Sequence, residues 1–457
     1  MGALVILGNS GLPPAVGPVD AAPPPALHIV PGDPPLLLVV EGSRLFETTP
    51  EFFAALQSDT EGARQDLFDL TRVEPRALKA SAIPPPTAIS LNIAQSCNLS
   101  CSYCYADEGR FGGREAMMPR EVARAAIDDL LQNARGLRVT IGFIGGEPFL
   151  NRGLLVWAVE YAVAHARETG SRVGFSVTTN GTLLTDEDLG FLRAHSFAVS
   201  VSLDGASEVN DRERRARGTS AFELALRRLQ PLLQDPGKAR VTARATVTRR
   251  DLRVLERIDA LLAAGFGEVG VSPLRTSPVT GLALQEQDWP IFLDEMMRAG
   301  EAEWTQLQNQ GNLRFSNLAV SLKQLHAGYC KPLPCGSAAS YVSVSARGEY
   351  FTCHRTVDDP RYSLGSTKQG LSSDQRESFL RARHVDRQEP CRSCWARYLC
   401  GGGCHAEVLS AGRSGCDYIR GWLEYCMRFY NRALREFPSL FFGGSQPGQS
   451  QQGEKQQ

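Results

Sequence analysis

The sequence predicts an α/β protein whose centre is a partial barrel of six β/α units. Three observations support this fold class. Short apolar runs alternate with longer amphipathic segments, a proline-rich linker at residues 83–86 precedes them, and polar motifs follow several of the runs. Such alternation indicates a parallel sheet covered by helices. The ligand site of such a fold lies at the carboxyl ends of the strands.

The predicted elements of the barrel follow one another in chain order. Strands are predicted at residues 88–93, 138–144, 173–178, 198–203, 241–247 and 268–271. Helices are predicted at residues 119–131, 154–166, 186–194, 222–233 and 252–263. The barrel is therefore expected to occupy residues 85–315, and a second domain residues 316–440.

A small α+β module is predicted before the barrel, at residues 27–82. Residues 27–31 and 36–41 have the pattern of a β-hairpin, Thr49-Pro50 is a typical helix start, and residues 61–70 form a second helical stretch. Two roles fit this module, and the sequence favours neither. It docks a peptide by adding a strand to its sheet, or it extends the packing of the barrel.

The two ends of the chain differ in composition from the predicted domains. Residues 1–26 contain much Pro, Gly and Ala and are predicted to be a flexible lead-in, whereas residues 441–457 contain mainly Gly, Ser and Gln and are predicted to be a disordered tail.

Composition narrows the class of protein. With 457 residues the chain is long enough for two or three domains, and its formal net charge of -1 argues against a nucleic-acid partner. It has neither a basic leader nor an apolar run of about 20 residues, so we expect a cytoplasmic protein without a membrane partner. Twelve cysteines in that compartment favour metal or redox chemistry over disulfides.

The most informative segment is the loop after the first barrel strand, which contains Cys97, Cys101 and Cys104. A zinc site or a closed iron-sulfur site has four protein ligands, so three thiolates leave one metal position open for another ligand. The alternative is three reduced cysteines in a loop that binds nothing.

A second group of cysteines lies near the carboxyl end of the chain. Cys391, Cys394, Cys400 and Cys404 have ligand-like spacing, and the glycines at 401–403 permit tight turns. Such CxxC pairs also occur in zinc ribbons, which remain the alternative.

The C-x3-C-x2-C loop resembles the signature of the radical S-adenosylmethionine (SAM) enzymes. In that family a 4Fe-4S cluster chelates the amino and carboxylate groups of SAM and cleaves SAM to a 5'-deoxyadenosyl radical. Gly145, Gly146 and Glu147 follow the second strand and resemble the GGE motif that holds the SAM amino group. The resemblance thus implies a radical SAM barrel.

Further SAM-site candidates follow from this resemblance. Asn180 ends the third strand, Ser202 and Asp204 end the fourth, and all three are candidates for contacts to SAM or substrate. Arg244 in the fifth strand is a candidate partner of the SAM carboxylate, and Tyr103 of the adenine. The alternative for the strand-end residues is a turn residue or a structural salt bridge.

Four arginines crowd the loop at residues 210–218, namely Arg212, Arg214, Arg215 and Arg217. A charge run of this kind is usually a solvated surface. The sharper hypothesis is that these side chains receive acidic groups of a peptide substrate.

The second cysteine group resembles the SPASM domain, which extends radical SAM enzymes that modify peptides and proteins and carries two auxiliary 4Fe-4S clusters. The resemblance assigns the first auxiliary cluster to Cys330, Cys335, Cys353 and Cys404. It assigns the second to Cys391, Cys394, Cys400 and either Cys416 or Cys426, of which Cys416 is preferred. If Cys330 is not a ligand, the first auxiliary cluster has an open iron.

The expected reaction follows from an electron count. A carbon radical that forms a bond to a thiolate must lose one electron, and an auxiliary cluster is a convenient acceptor. Sulfatase-maturing enzymes place an Asp where this chain has His354. The Cys-His context instead resembles thioether-forming peptide maturases, above all those of quinohemoprotein amine dehydrogenase, which join a Cys sulfur to an Asp or Glu side-chain carbon.

The expected partners are a Cys-containing peptide or small-subunit protein and an electron donor such as flavodoxin or ferredoxin. The expected cofactors are three 4Fe-4S clusters and SAM. Another radical SAM peptide modification, such as a C–C cross-link, is the first alternative. An iron-sulfur electron carrier or a zinc-stabilised binding protein is the alternative of a different class.

Overall fold

The computed structural model describes residues 4–7, 26–58 and 83–442. The predicted helix at residues 61–70, nearly all of the lead-in and nearly all of the tail lie outside the described residues. Within the lead-in, Leu4–Leu7 form a strand.

Strands are numbered in chain order. They are β1 Leu4–Leu7, β2 Leu27–Val30, β3 Leu36–Val39, β4 Arg44–Thr48, β5 Ala88–Gln95, β6 Ser100–Cys101, β7 Ala116–Met117, β8 Arg138–Gly145, β9 Arg172–Thr179, β10 Phe197–Ser202, β11 Arg214–Arg215, β12 Arg240–Val247, β13 Val269–Pro273, β14 Tyr341–Val344, β15 Glu349–Phe351, β16 Ser363–Ser366 and β17 Gly370–Leu371.

Helices are numbered in the same way. They are α1 Pro50–Gln57, α2 Arg120–Asn133, α3 Arg152–Thr169, α4 Asp186–Ala194, α5 Ser207–Glu213, α6 Ala221–Gln234, α7 Val254–Ala263, α8 Asp288–Gln310, α9 Ser316–His326, α10 Ser373–Arg383, α11 Arg397–Cys400, α12 His405–Ala411 and α13 Cys416–Glu436.

Six parallel strands form the centre of the molecule in the order β13-β12-β10-β9-β8-β5. They are the six predicted barrel strands, and each end lies within two residues of its predicted position. Helices α2, α3, α4, α6 and α7 follow β5, β8, β9, β10 and β12 in turn. The predicted α/β fold class with a partial barrel of six β/α units is thereby confirmed.

One face of this parallel sheet is apolar and the other is polar. In β9, Phe175 and Val177 are buried in the main core with helix residues such as Ile127, whereas Ser176 and Thr178 face the other side. A parallel sheet buried on both faces has strands that are apolar throughout, so this alternation is informative. We call the space that borders the polar face the lumen.

The cysteine-rich region begins as an extension of the same sheet. β14 pairs in parallel with β5, with Tyr341 opposite Ala88, and β15, β16 and β17 continue the sheet in antiparallel order. The sheet that carries the barrel therefore runs without a break into the carboxyl-terminal part of the chain.

The amino-terminal module is a four-stranded antiparallel sheet in the order β1-β4-β3-β2, followed by α1. The predicted hairpin and helix start are confirmed, because β2 pairs with β3 and the Thr49 hydroxyl caps α1 by accepting from the N–H of Phe52 at 3.2 Å. The module contacts the cysteine-rich region: the His28 ring stacks on Trp395 at 3.7 Å and its Nε2 lies 2.9 Å from Glu424.

None of the helices in the described ranges combines the length and the apolar composition needed for a membrane span.

Candidate active site

The three cysteines of the first motif lie in the loop after β5, at the carboxyl end of the parallel sheet. Burial, together with the charges of Glu147, Cys101 and Cys104, raises the pKa of Cys97 to about 12. Burial also raises the pKa of Cys101 to about 11, again with Cys104 contributing. The three thiols therefore lie close enough for their charges to act on one another.

Two glycines bring the loop after β8 against this cysteine loop. A Cβ atom on Gly146 would lie 2.5 Å from the carbonyl carbon of Ser96 and 2.9 Å from the nitrogen of Cys97. Gly109, at a φ of +90°, packs on Gly146 from the other side, where a Cβ would lie 2.6 Å from its Cα. Gly145 has a φ of +152° and packs on Ala94. The predicted GGE segment and the cysteine loop thus form one stacked unit.

Glu147 is fully buried, and its carboxylate is used within the protein. It accepts hydrogen bonds from the Thr179 hydroxyl at 2.8 Å, from the N–H of Asn180 at 2.8 Å and from the N–H of Phe149 at 3.2 Å. Burial raises its pKa to about 7 although these hydrogen bonds act in the opposite direction. The side chain therefore joins the loop after β8 to the end of β9.

Asn180 belongs to a small amide network on the cysteine loop. Its Nδ2 donates to Asn98 Oδ1 at 3.0 Å and approaches the Cys97 sulfur at 3.9 Å, while its Oδ1 accepts from the Thr182 hydroxyl at 2.6 Å. The sequence pattern did not single out Asn98 or Thr182. Their only local signal is that each lies within two residues of a predicted site residue.

Asp204 and Tyr103 are held together beneath the cysteine loop by a buried arginine. The Tyr103 hydroxyl donates to Asp204 at 2.5 Å, and Arg214 Nε lies 3.1 Å from the same carboxylate. The Arg214 guanidinium also lies 5.4 Å from the Tyr103 ring centre and donates to the Cys101 sulfur at 4.0 Å. This cluster fixes the loop from below.

The prediction that Arg214 lies on a solvated or peptide-binding surface is wrong. Strand β11 pairs with β6 and places Arg214 opposite Cys101, which buries the guanidinium against Asp204. Arg212 pairs with Glu213 and Asp251, whereas Arg215 is exposed.

The remaining two SAM-site candidates line the lumen. Ser202 ends β10 and lies in register with Arg244 of β12. Nη1 of Arg244 donates to the Ser316 hydroxyl at 3.3 Å.

The structure also brings together cysteines of the carboxyl-terminal region. Desolvation and the charges of Cys404 and Cys353 raise the pKa of Cys335. Cys330, the fourth residue predicted for this set, is partly exposed.

A second set of cysteines in this region comprises Cys391, Cys394, Cys400 and Cys416. Burial raises the pKa of Cys400, with Cys391 and Cys416 contributing, and burial raises that of Cys416, with Cys391 and Cys394 contributing. Cys426 is fully buried within α13, and burial raises its pKa strongly.

In residues 4–7, 26–58 and 83–442, no three His, Cys, Asp or Glu side chains converge at the spacing that one metal ion needs. In a 4Fe-4S cluster the ligand set is four cysteine thiolates. The two carboxyl-terminal sets consist of cysteines, so their side chains are ligands of the type that a 4Fe-4S cluster uses.

The first auxiliary set faces the cysteine loop through two side chains. The Arg355 guanidinium lies 4.7 Å from the ring centre of Tyr105, which directly follows Cys104. His354 Nδ1 lies 3.0 Å from the Tyr341 hydroxyl, which in turn lies 2.8 Å from the Ser90 hydroxyl of β5. The region around Cys353 is thus tied to the mouth of the barrel.

Comparison with known proteins agrees with this geometry. Residues 91–234 match the family model of the Radical SAM superfamily. A serine-type anaerobic sulfatase-maturating enzyme of Klebsiella aerogenes is 24% identical over 340 residues, which cover 70% of this chain and 80% of that enzyme. A PqqA peptide cyclase of Xanthomonas campestris is 26% identical over 345 residues, which cover 72% of this chain and 85% of that protein.

A solved structure has the same fold. The structure described as native anSMEcpe with bound AdoMet and Kp18Cys peptide superposes with a TM-score of 0.63 at 20% identity, and the match covers 77% of this chain and 99% of that chain.

Proposed function

We propose that this protein forms thioether cross-links within a Cys-containing peptide or small protein, because residues 91–234 match the family model of the Radical SAM superfamily. In this proposal a Cys sulfur is joined to the side-chain carbon of an Asp or Glu residue. The substrate we favour is the small subunit of quinohemoprotein amine dehydrogenase. The observation that carries the proposal is the three-cysteine loop, stacked on Gly146 and facing a second cysteine region.

Each group of residues has a defined role in this proposal. Cys97, Cys101 and Cys104 hold a 4Fe-4S cluster, and Tyr103, Gly145, Gly146, Asn180 and Ser202 surround SAM. When bound, this cluster and SAM supply the radical that removes a hydrogen atom from the substrate carbon. Glu147 and Asp204 are positioning residues, because their hydrogen bonds hold the loops that carry these ligands.

The auxiliary cysteines complete the chemistry. We assign Cys330, Cys335, Cys353 and Cys404 to one 4Fe-4S cluster and Cys391, Cys394, Cys400 and Cys416 to the other. Joining a carbon radical to a thiolate gives a neutral thioether and one electron, and these clusters supply the acceptor. A flavodoxin or ferredoxin is the proposed external donor.

One observation supports a peptide or protein substrate, and a second bears on the type of reaction. The names of both curated relatives describe enzymes that act on a sulfatase or on a peptide. His354 stands where sulfatase-maturing enzymes have an Asp, which favours a reaction other than sulfatase maturation. The sequence Cys353-His354 instead resembles the corresponding segment of thioether-forming maturases.

The test uses anaerobically reconstituted enzyme, SAM, dithionite and, as the polypeptide, the small subunit of quinohemoprotein amine dehydrogenase. We expect 5'-deoxyadenosine, a mass loss of two hydrogens for each link, and thiols that no longer react with an alkylating agent. An iron content of about twelve per chain is expected for three clusters and would oppose zinc.

The alternatives give different results. A mass loss of two hydrogens with thiols that still react would indicate a C–C cross-link. Absence of 5'-deoxyadenosine would indicate an electron carrier or a binding protein instead of a SAM-cleaving enzyme.

A further inference from the structure

The lumen of the barrel is lined by small hydroxyl-bearing residues and glycine. Side chains that face it alternate with buried apolar residues along each strand. From β8 to β13 the lumen-facing positions include Thr140, Gly142, Ser176, Thr178, Ser200, Ser202, Thr242, Thr246, Gly270 and Ser272. Such a surface binds polar groups, because each hydroxyl both donates and accepts a hydrogen bond.

Arg244 is the charged side chain in the middle of this surface. Three other arginines of these strands face the lumen, and each is the first residue of its strand. They are Arg138, Arg172 and Arg240, and they lie at the end of the sheet away from the cysteine loop. Within the described part of the chain, no carboxylate forms an ion pair with Arg244, and its side chain is exposed to the lumen.

Gly270 forms a cradle for the Arg244 guanidinium. The two residues lie in register on β12 and β13, and a Cβ atom on Gly270 would lie 2.9 Å from Cζ of Arg244. The missing side chain therefore lets the guanidinium lie across β13 and reach the Ser316 hydroxyl at 3.3 Å. Its position is set by the backbone and by one hydrogen bond, and its remaining N–H groups are available to a ligand.

The helix end beside Arg244 adds positive potential. Ser316 is the first residue of α9, an 11-residue helix that has no acidic residue in its first turn. The first N–H groups of a helix have no partner within the helix and attract an anion. The nearby Glu303 is already used, since it accepts from the N–H groups of Arg314 and Phe315.

The SAM carboxylate is a less suitable anion for this position. Bound as in the radical SAM enzymes that the cysteine loop resembles, it would lie beside the loop that follows β5. β12 is four strands from β5 in the strand order of the sheet. The guanidinium next to the cysteine loop is that of Arg214.

We infer that Arg244, cradled by Gly270 and held by Ser316, binds a carboxylate side chain of the peptide substrate in the lumen and thereby selects Asp- or Glu-containing sites. The inference rests on the proposed function and deepens it. Guanidinium and carboxylate match as a bidentate pair, which a carboxamide cannot reproduce.

The test compares two synthetic peptides that span one Cys–Glu pair of the proposed small-subunit substrate, one with Glu and one with Gln in its place. Dissociation constants are measured by fluorescence anisotropy on reconstituted enzyme with SAM and without reductant. The wild type is expected to bind the Glu peptide about tenfold more tightly. Arg244→Gln should bring this ratio close to one, with the Kd for SAM changed less than twofold.

Two further variants separate charge from position. Gly270→Ala keeps the guanidinium but displaces it, so it should also reduce the Glu preference. Arg138→Gln removes an exposed arginine at the far rim of the same lumen and should leave the preference unchanged.

The following results would contradict either the inference or the proposed function. If the wild type binds both peptides equally, the inference is wrong. It is also wrong if Arg244→Gln raises the Kd for SAM tenfold and keeps the Glu preference, which would assign Arg244 to the SAM carboxylate. If the wild type forms no 5'-deoxyadenosine in a parallel assay with dithionite, the proposed function itself fails.

Discussion

At the scale of single residues, Asp204 is the buried charge beneath the cysteine loop. Asp204→Asn removes the partner of the buried Arg214 guanidinium and weakens the bond to the Tyr103 hydroxyl. We expect a loss of about 3 kcal/mol or more in the free energy of unfolding, because an unpaired charge remains buried. Denaturant unfolding of the reconstituted protein measures this loss.

Asp107→Asn is the matched control for that variant. Asp107 forms an exposed ion pair with Arg110, which contributes about 1 kcal/mol at most. Equal losses in both variants would show that the Asp204 cluster does not hold the loop.

Substitution of a cysteine should affect SAM cleavage only where the cysteine belongs to the proposed cluster site. Cys101→Ala is expected to abolish SAM cleavage, because it removes one ligand from the proposed cluster. Cys426→Ala should leave cleavage largely intact, since this thiol is buried in α13 away from the cysteine sets. 5'-Deoxyadenosine formed with dithionite is the measurement, and equal loss in both variants would overturn the ligand assignment.

Residue roles could be predicted from the sequence where they depend on local spacing. The loop with Cys97, Cys101 and Cys104 is a local pattern of this kind, and its role as a cluster site stays a prediction. The Arg214 cluster could not be predicted, because it depends on the pairing of β6 with β11 across more than a hundred residues. A charge run gives no sign of which of its members is buried.

At the scale of elements, the stacked loops after β5 and β8 need a glycine at position 146. Gly146→Ala would place a Cβ 2.5 Å from the Ser96 backbone and force the loops apart. We expect loss of SAM cleavage and of about four irons per chain, measured by iron analysis after reconstitution.

Gly190→Ala provides the control for this substitution. Gly190 lies within α4, where an added Cβ would meet no atom within 4 Å, and alanine is the better helix former. Iron content should be unchanged. Full iron in Gly146→Ala would contradict the proposed role of the stacked loops.

The barrel elements could be predicted because each β/α unit carries its own apolar pattern. β4 was not predicted, since its five residues Arg44–Thr48 include two charged side chains and lack regular alternation. The pairing of β14 with β5 was not predicted either, because it joins residues about 250 positions apart.

At the scale of the whole molecule, histidines that are buried or half-buried make the free energy of unfolding depend on pH. Burial lowers the pKa of His28, His195, His326 and His384, which lie on separate elements. Because their pKa values are lower in the folded protein than in the unfolded chain, these groups take up protons on unfolding below about pH 6.5. The unfolding free energy should therefore fall as pH drops from 7 to 5.5, by up to about 1.4 kcal/mol per pH unit for each histidine.

Denaturant midpoints at pH 7.5, 6.5 and 5.5 measure this effect. Glu147 acts in the opposite direction, because its raised pKa lets the folded state bind a proton. A stability that is constant or increases towards pH 5.5 would contradict the prediction.

The continuation of the sheet from β5 into β14 has a consequence for protein engineering. β5 carries the cysteine loop, and β7 pairs with its residues 94–95, but its residues 88–91 are interior only while residues 341–344 cover them. A chain shortened before residue 330 would expose the N–H and C=O groups of β5, which is a template for aggregation between copies. We therefore expect the shortened chain to be insoluble in a sedimentation assay, and a chimera with another carboxyl-terminal region to require a strand that replaces β14.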